Sequence, residues 1–111
     1  MSEVPEELEP LRSEVDRIDD QIVDAYAQLA QVVSGLLSER ELVVDQISEV
    51  KKAHGIPIVQ RSRQKNVIER TNTRAIQTGA DPVLVKKLFE DIHSKSVLRQ
   101  MKDRGVISKD E

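Results

Sequence analysis

The stretch LRSEVDRIDDQIVDAYAQLAQVVSGL, residues 11–36, decides the fold because its apolar side chains recur at alternating steps of four and three. This spacing places them on one face of an α-helix, as in the seam of a coiled coil. The pattern continues to Val50, and Gly55 and Pro57 then end it. We therefore predict one helix from about residue 6 to about residue 53. Its first apolar positions are Leu11, Val15, Ile18, Ile22, Ala25, Leu29, Val32 and Leu36.

A helix of that length cannot cover its own apolar face. At about 1.5 Å per residue it spans roughly 70 Å, which is far more than the width of a small domain. The rest of the 111-residue chain is too short to cover the seam by folding back on it. We therefore predict an all-α fold of three helices with a very long first helix, which forms a helical homodimer by pairing the long helices of two copies.

A second helix is predicted to begin at Ser62 or Arg63 and to end at about Thr78, where Gly79 provides the stop. Its apolar side is thin. The residues expected to face the core are Val67, Ile68, Thr71 and Ile76.

A third helix is indicated by the pair Asp81-Pro82, an N-cap residue followed by proline at the first helical position. The chain then divides into an N-terminal extension at 1–10, a helical domain at 11–101 and a polar tail at 102–111. We expect the tail to fray from its first residue. The apolar residues of the third helix are Leu84, Val85, Leu88, Phe89, Ile92, Val97 and Leu98.

Composition argues against several classes of protein. The chain has no cysteine, so it has neither a disulfide framework nor a cysteine-based zinc site. A net charge of −3, with one Tyr, one Phe and no Trp, leaves little to bind a nucleic-acid backbone or to stack on bases. No apolar run reaches the length of a membrane span or resembles a signal peptide. We expect a cytoplasmic protein with no nucleic-acid partner and no membrane partner.

The seam is interrupted by a cation. Position 40, where the pattern calls for an apolar residue, is Arg40, and Lys51 follows eleven residues later, within about 20° of the same direction around the helix. Both side chains can snorkel with their charges in water. If they are buried instead, they require an anion, and a ligand can supply it. No carboxylate lies four residues from either one, where the neighbours are Leu36, Val44, Ile47 and Gly55.

Four segments resemble the all-helical chorismate mutase family, and together they cover most of the chain from Leu11 to Gln100. The resemblance depends on the order of these segments and on the spacing from Arg40 to Lys51, then to Arg63, and then to the Ser-x-x-x-Gln motif of Ser96 and Gln100. The segments are LRSEVDRIDDQIV, LLSERELVVDQISEVKKAHGIPI, RSRQ and LFEDIHSKSVLRQ.

The resemblance implies an intertwined homodimer that converts chorismate to prephenate in the shikimate pathway, for phenylalanine and tyrosine biosynthesis. Such an isomerase needs no cofactor and no metal, because the reaction is a unimolecular Claisen rearrangement. It implies that Lys51 and Gln100 hydrogen-bond the ether oxygen of the substrate. It also implies that Arg40 and Arg12, the latter entering the site of the paired subunit, hold the two carboxylates. The full implied set of substrate-binding residues is Arg12, Arg40, Lys51, Gln60, Arg63, Gln64, Ser96 and Gln100, with Lys51, Gln100 and Arg40 as the catalytic group.

The chain departs from the family pattern in two places. Roughly eleven extra residues lie between Arg12 and Arg40, near AYAQLAQVVSG. Gln60 and Gln64 stand where the family commonly has acidic residues. The resemblance implies that position 64 accepts a hydrogen bond from the ring hydroxyl of the substrate, and a Gln carbonyl accepts it less strongly than a carboxylate does. Two alternatives therefore stay open: an isochorismate-pyruvate lyase of related fold, and a weakly active dimeric module with a regulatory or interaction role.

Overall fold

The computed structural model describes residues 4–106, which form three helices and no strand. The helices are α1 (Leu8–Ala53), α2 (Arg61–Thr78) and α3 (Pro82–Asp103). The predicted all-α fold with a very long first helix is confirmed. None of these helices has the length and apolarity needed to cross a lipid bilayer. The chain divides into two compact units at residues 39 and 40, and α1 contributes to both.

The first unit consists mainly of the N-terminal part of α1. The helix begins at Leu8, slightly later than expected, after a turn in which the Leu8 amide donates to the carbonyl of Pro5 at 3.1 Å. Pro10 then lies in the first helical turn, where a missing N–H costs no helical hydrogen bond. The apolar seam of this unit is solvent-exposed within the chain. Its exposed fractions range from 42% to 62% across Leu11, Val15, Ile18, Ile22, Leu29, Val32 and Leu36.

In the second unit, two glycines and an N-capping aspartate set the ends of the helices. Gly55, at φ 65°, turns the chain after α1, and Gly79, at φ 78°, ends α2 as predicted. Both take the left-handed conformation that other residues rarely adopt. The side chain of Asp81 accepts a hydrogen bond of 2.9 Å from the amide of Val83, which confirms the predicted N-cap of α3.

The closest backbone approach in the second unit is between α2 and α3. Small residues of α2 allow it, because Thr71 and Ala75 are buried one turn apart. The Thr71 hydroxyl donates to the carbonyl of Val67 at 2.8 Å, so its burial leaves no polar atom unsatisfied. The expectation that Ile76 faces the core is wrong: Ile76 is 64% exposed, because the buried face passes through Ala75 instead.

Polar side chains join α3 to the C-terminal part of α1. The Ser48 hydroxyl, which is buried, donates to Asp103 at 2.7 Å, and Lys52 pairs with the same carboxylate at 3.2 Å. These contacts lie at the end of α3, which continues to Asp103, two residues into the predicted tail 102–111. Arg104 follows as the C-cap and donates to the carbonyl of Ile56. The remainder of the predicted tail, 107–111, lies outside the described residues, as does 1–3.

Candidate functional site

A cavity of about 300 Å³ lies in the second unit, bordered by all three helices and by the connection between α1 and α2. The structure brings most of the predicted site residues together around it. Those lining the cavity are Arg40, Lys51, Gln60, Arg63, Gln64, Ser96 and Gln100.

Arg40 enters the cavity from α1. It is half-buried, yet no carboxylate of residues 4–106 forms an ion pair with it. Its Nη1 donates a hydrogen bond of 2.7 Å to Oγ of Ser96, which leaves the other N–H groups of the guanidinium available. Burial, and then the charge of Arg63, lower the pKa of Arg40 from its ordinary value. Arg40 therefore lies where an anion would be stabilised.

Lys51 is held from two sides. Its Nζ donates to the carbonyl of Ile58 at 2.7 Å and to Oε1 of Gln100 at 3.0 Å. Since an ammonium group has three N–H donors, one of them is left for a ligand. No carboxylate among the described residues pairs with it, and burial, followed by the charge of Arg104, lowers the pKa of Lys51.

Gln100 is buried on α3, one turn beyond Ser96. Its Nε2 donates to the carbonyl of Ser96 at 3.3 Å while its Oε1 accepts from Lys51. The two contacts fix the plane of the amide. Because the NH2 group carries a second N–H, the side chain keeps one donor for a ligand.

The residues at the start of α2 form the more open side of the cavity. Arg63 is solvent-exposed along part of its length, and its Nη1 donates to Oδ1 of Asn66 at 2.7 Å. Gln64 is half-buried, whereas Gln60 is exposed and precedes the first residue of α2. Arg61, in the same turn, is exposed and does not line the cavity.

Arg12 is the predicted site residue that does not line this cavity. It belongs to the first unit, where its guanidinium is exposed and lies 3.8 Å from a carboxylate oxygen of Glu9. Its delivery to the site of a paired subunit stays a prediction.

The sequence interpretation overlooked His93, which lines the cavity from α3. His93 lies three positions before Ser96 and seven before Gln100, so the three side chains share one helix face. That spacing is a sequence signal that His93 faces the same site. Burial, followed by the charges of Arg40 and Lys51, lowers the pKa of His93. The apolar part of the wall, which the interpretation also left out, consists of Val44, Ile47, Ile58, Val67, Ile68, Phe89 and Val97.

The arrangement suits a small organic anion. The cavity combines an apolar wall with the cations Arg40, Lys51 and Arg63, and no carboxylate of residues 4–106 lines it. Lys51 and Gln100 converge from two helices, so their remaining N–H groups can stabilise one oxygen on which negative charge grows. Among residues 4–106, no group of three or more His, Cys, Asp or Glu side chains is arranged to hold a metal ion.

Comparison with known proteins gives concordant results. Residues 11–101 match the family described as chorismate mutase type II. The chain is also similar to a protein of Methanocaldococcus jannaschii named chorismate mutase, with 26% identity over 97 residues that cover 86% of this chain and 87% of the relative. No solved structure matches the chain.

Proposed function

The chain belongs to the chorismate mutase type II family, and from this premise we propose that its cationic cavity binds chorismate and isomerises it to prephenate. One observation carries the proposal most directly. Arg40 and Lys51 line the same cavity, partly buried, and neither forms an ion pair with a carboxylate of the described residues. Such cations are stable beside a ligand that carries negative charge, and chorismate is a dicarboxylate.

The proposed reaction requires no exchange of groups between the protein and the substrate. In a Claisen rearrangement the carbon–oxygen ether bond breaks while a new carbon–carbon bond forms within the same molecule, so no atom, proton or electron is exchanged. Negative charge grows on the ether oxygen as its bond to carbon lengthens. Lys51 and Gln100 supply one N–H each to that oxygen, and both are already held by other contacts. Donors fixed in this way need no reorganisation when the charge develops.

The remaining polar groups position the substrate. Arg40, with Ser96 bonded to it at 2.7 Å, holds one carboxylate, and Arg63 lines the same cavity. Gln64 accepts from the ring hydroxyl, while Gln60 contributes at the exposed edge. Holding the enolpyruvyl arm over the ring converts a rare conformer of the substrate into the bound one, which accounts for a large part of the rate.

The second carboxylate of chorismate is one reason for proposing a homodimer. Arg12 would bind it from the first helix of a paired subunit, because the first helix of one chain brings only Arg40 and Lys51 to the cavity and Lys51 is directed to the ether oxygen. The exposed apolar seam of α1 supports the pairing, since a contiguous apolar stripe of this length is unfavourable in water. The test is the unfolding midpoint, which must rise with protein concentration. A folded monomer by sedimentation at micromolar concentration would contradict the dimer.

The family assignment does not favour the two alternatives, a lyase acting on isochorismate and a module of low activity. The cytoplasmic location stays a prediction. The proposed function is tested by incubating the purified protein separately with chorismate and with isochorismate, following substrate absorbance and identifying products by NMR. We expect prephenate from chorismate. Release of pyruvate from isochorismate, without prephenate formation from chorismate, would assign the cavity to lyase chemistry instead.

A further inference from the structure

His93 is a titratable side chain of the cavity wall that the proposed function has not used. It lies on α3, half-buried in the cavity wall, with Phe89 and Val97 one turn away on either side. Neither of its ring nitrogens hydrogen-bonds to another residue of the described chain. Since neither nitrogen is a buried unsatisfied atom, both stay accessible from the cavity and can hydrogen-bond a ligand there.

Among the described residues, the charged side chains that line the cavity beside His93 are all cations, and Glu90, three positions before His93 on α3, does not line it. Arg40 and Lys51 line the cavity from α1, and Arg63 lines it from α2. The other polar side chains of the cavity do not titrate in the ordinary pH range. They are Gln60, Gln64, Ser96 and Gln100.

Burial, followed by the charges of Arg40 and Lys51, lowers the pKa of His93 below its ordinary value and so favours the neutral imidazole in the free protein. A ligand with two carboxylates would cancel much of that positive potential. The same ligand would then favour the protonated imidazole, which donates a stronger hydrogen bond to a carboxylate than the neutral ring does.

We propose that His93 is a further substrate-binding residue, which hydrogen-bonds a carboxylate of the dianionic substrate and takes up a proton as the substrate binds. This inference rests on the proposed function, because it needs a dicarboxylate in the cavity. His93 acts on binding and not on the bond-breaking step, which needs no proton. It therefore affects KM and leaves kcat largely unchanged.

The direction of the pH effect follows from linkage. Because the complex holds the proton more tightly than the free protein, the pKa of His93 is higher in the complex, and binding takes up a proton between the two values. Affinity is therefore greatest at low pH, and KM rises as the pH increases through the pKa of the complex. The total rise is up to about tenfold for each pH unit that separates the two pKa values.

The chain has two histidines, so a His54→Gln variant leaves His93 as the one imidazole to observe by NMR. His54 is exposed and does not line the cavity, which makes the variant a suitable background. We expect the NMR titration of His93 to give a higher pKa with saturating prephenate than without it. In a second experiment, KM for chorismate should rise with pH in the parent, and His93→Gln should remove this dependence while keeping kcat.

An unchanged pKa of His93 on adding prephenate would overturn the inference, as would a decrease. A decrease would mean that the neutral ring accepts a hydrogen bond from the ligand. If chorismate is converted but His93 does not respond, only this inference fails and the proposed function stands. If the protein neither converts chorismate nor binds prephenate, both proposals fail together.

Discussion

Nζ of Lys51 donates a hydrogen bond of 3.0 Å to Oε1 of Gln100, and this contact joins α1 to α3 at the cavity. The residues lie 49 positions apart in the chain. The second acceptor of the ammonium, the carbonyl of Ile58 at 2.7 Å, belongs to the connection that follows α1. Two acceptors on different segments leave the ammonium little freedom, so its remaining N–H is aimed before charge develops on a ligand.

This contact predicts how the rate depends on pH when position 100 becomes acidic. In a Gln100→Glu variant, an ionised carboxylate would accept from Lys51 but could not donate to the ether oxygen, and it would repel the growing charge. We expect kcat near neutral pH to fall by about 10²–10³ and to recover as the pH decreases and the carboxyl group is protonated. The parent should lack this acid-side rise in kcat, because an amide does not titrate. If kcat depends on pH in the same way in both proteins, Gln100 does not contact the reacting atoms.

A second prediction concerns Gln64, which is half-buried in the cavity wall. A carboxylate accepts a hydrogen bond from a hydroxyl more strongly than an amide carbonyl does. Gln64→Glu should therefore bind chorismate at least as tightly as the parent, as judged from KM or from product inhibition by prephenate. Gln77→Glu is the matched control, because it adds the same charge at an exposed position of α2 that does not line the cavity. Weaker binding in Gln64→Glu alone would mean that position 64 has a different role.

A third prediction concerns the ion pair on the outer surface between α1 and α3. Nε and Nη2 of Arg99 donate to the two carboxylate oxygens of Asp45 at 2.6 and 2.8 Å, and this lowers the pKa of Asp45. A lowered pKa in the folded state contributes stability above the unfolded value, and the contribution is lost as the pH falls through the folded pKa. We expect Asp45→Asn to lower the free energy of unfolding at pH 7 by up to about 1 kcal/mol.

Denaturant titrations of the Asp45→Asn variant and the parent at several pH values measure this difference, which should vanish at the acid end. Asp91→Asn is the control, because Asp91 pairs with Lys95 within α3 and is also exposed. Its effect should be about 0.5 kcal/mol or less. A difference between Asp45→Asn and the parent that persists unchanged in acid would mean that Asp45 stabilises the fold through packing and not through its charge.

Much of the fold could be predicted from the sequence because local signals determine it. The seam of α1, the cap at Asp81 and the stop at Gly79 each depend on a few neighbouring residues. The buried face of α2 could not be assigned as easily, because Ala75 and Ile76 are both apolar and only packing against α3 distinguishes them. The helical end of α3 at Asp103 depends on Ser48 and Lys52, which are far away in sequence.

The candidate site was predictable to a similar degree. Helix periodicity put Arg40 and Lys51 on one side of α1, and the family resemblance related both to Ser96 and Gln100. No local pattern predicts that the carbonyl of Ile58 accepts from Lys51, because a backbone carbonyl carries no sequence signal. His93 shares a helix face with recognised site residues, but the family resemblance assigned no role to its position.

A fourth prediction tests whether Arg12 acts in the site of the paired subunit. A mixed dimer of one Arg12→Ala chain and one Lys51→Ala chain would then contain one site with both residues intact and one site lacking both. Mixing the two weakly active variants, with subunit exchange through partial unfolding, should restore the activity of the intact site.

The control mixture for that experiment combines Arg40→Ala with Lys51→Ala, since both residues line the cavity of the same chain. Each site of that mixed dimer lacks one of the two residues, so no activity should return. No recovery in the Arg12 mixture would assign Arg12 to the site of its own chain. Full activity of Arg12→Ala by itself would exclude it from substrate binding and would require another cation for the second carboxylate.

The central claim, that the cavity around Lys51 carries out the rearrangement, is tested most directly by the catalytic constant of Lys51→Ala with chorismate. Alanine preserves the helix, and the adjacent Lys52→Ala is the matched control, because Lys52 pairs with Glu49 and Asp103 and does not line this cavity. We predict that kcat falls by about 10²–10³ or more in Lys51→Ala, equivalent to ~3–4 kcal/mol of transition-state stabilisation, and changes little in Lys52→Ala. A correctly folded Lys51→Ala protein that forms prephenate at the parental rate would contradict the claim.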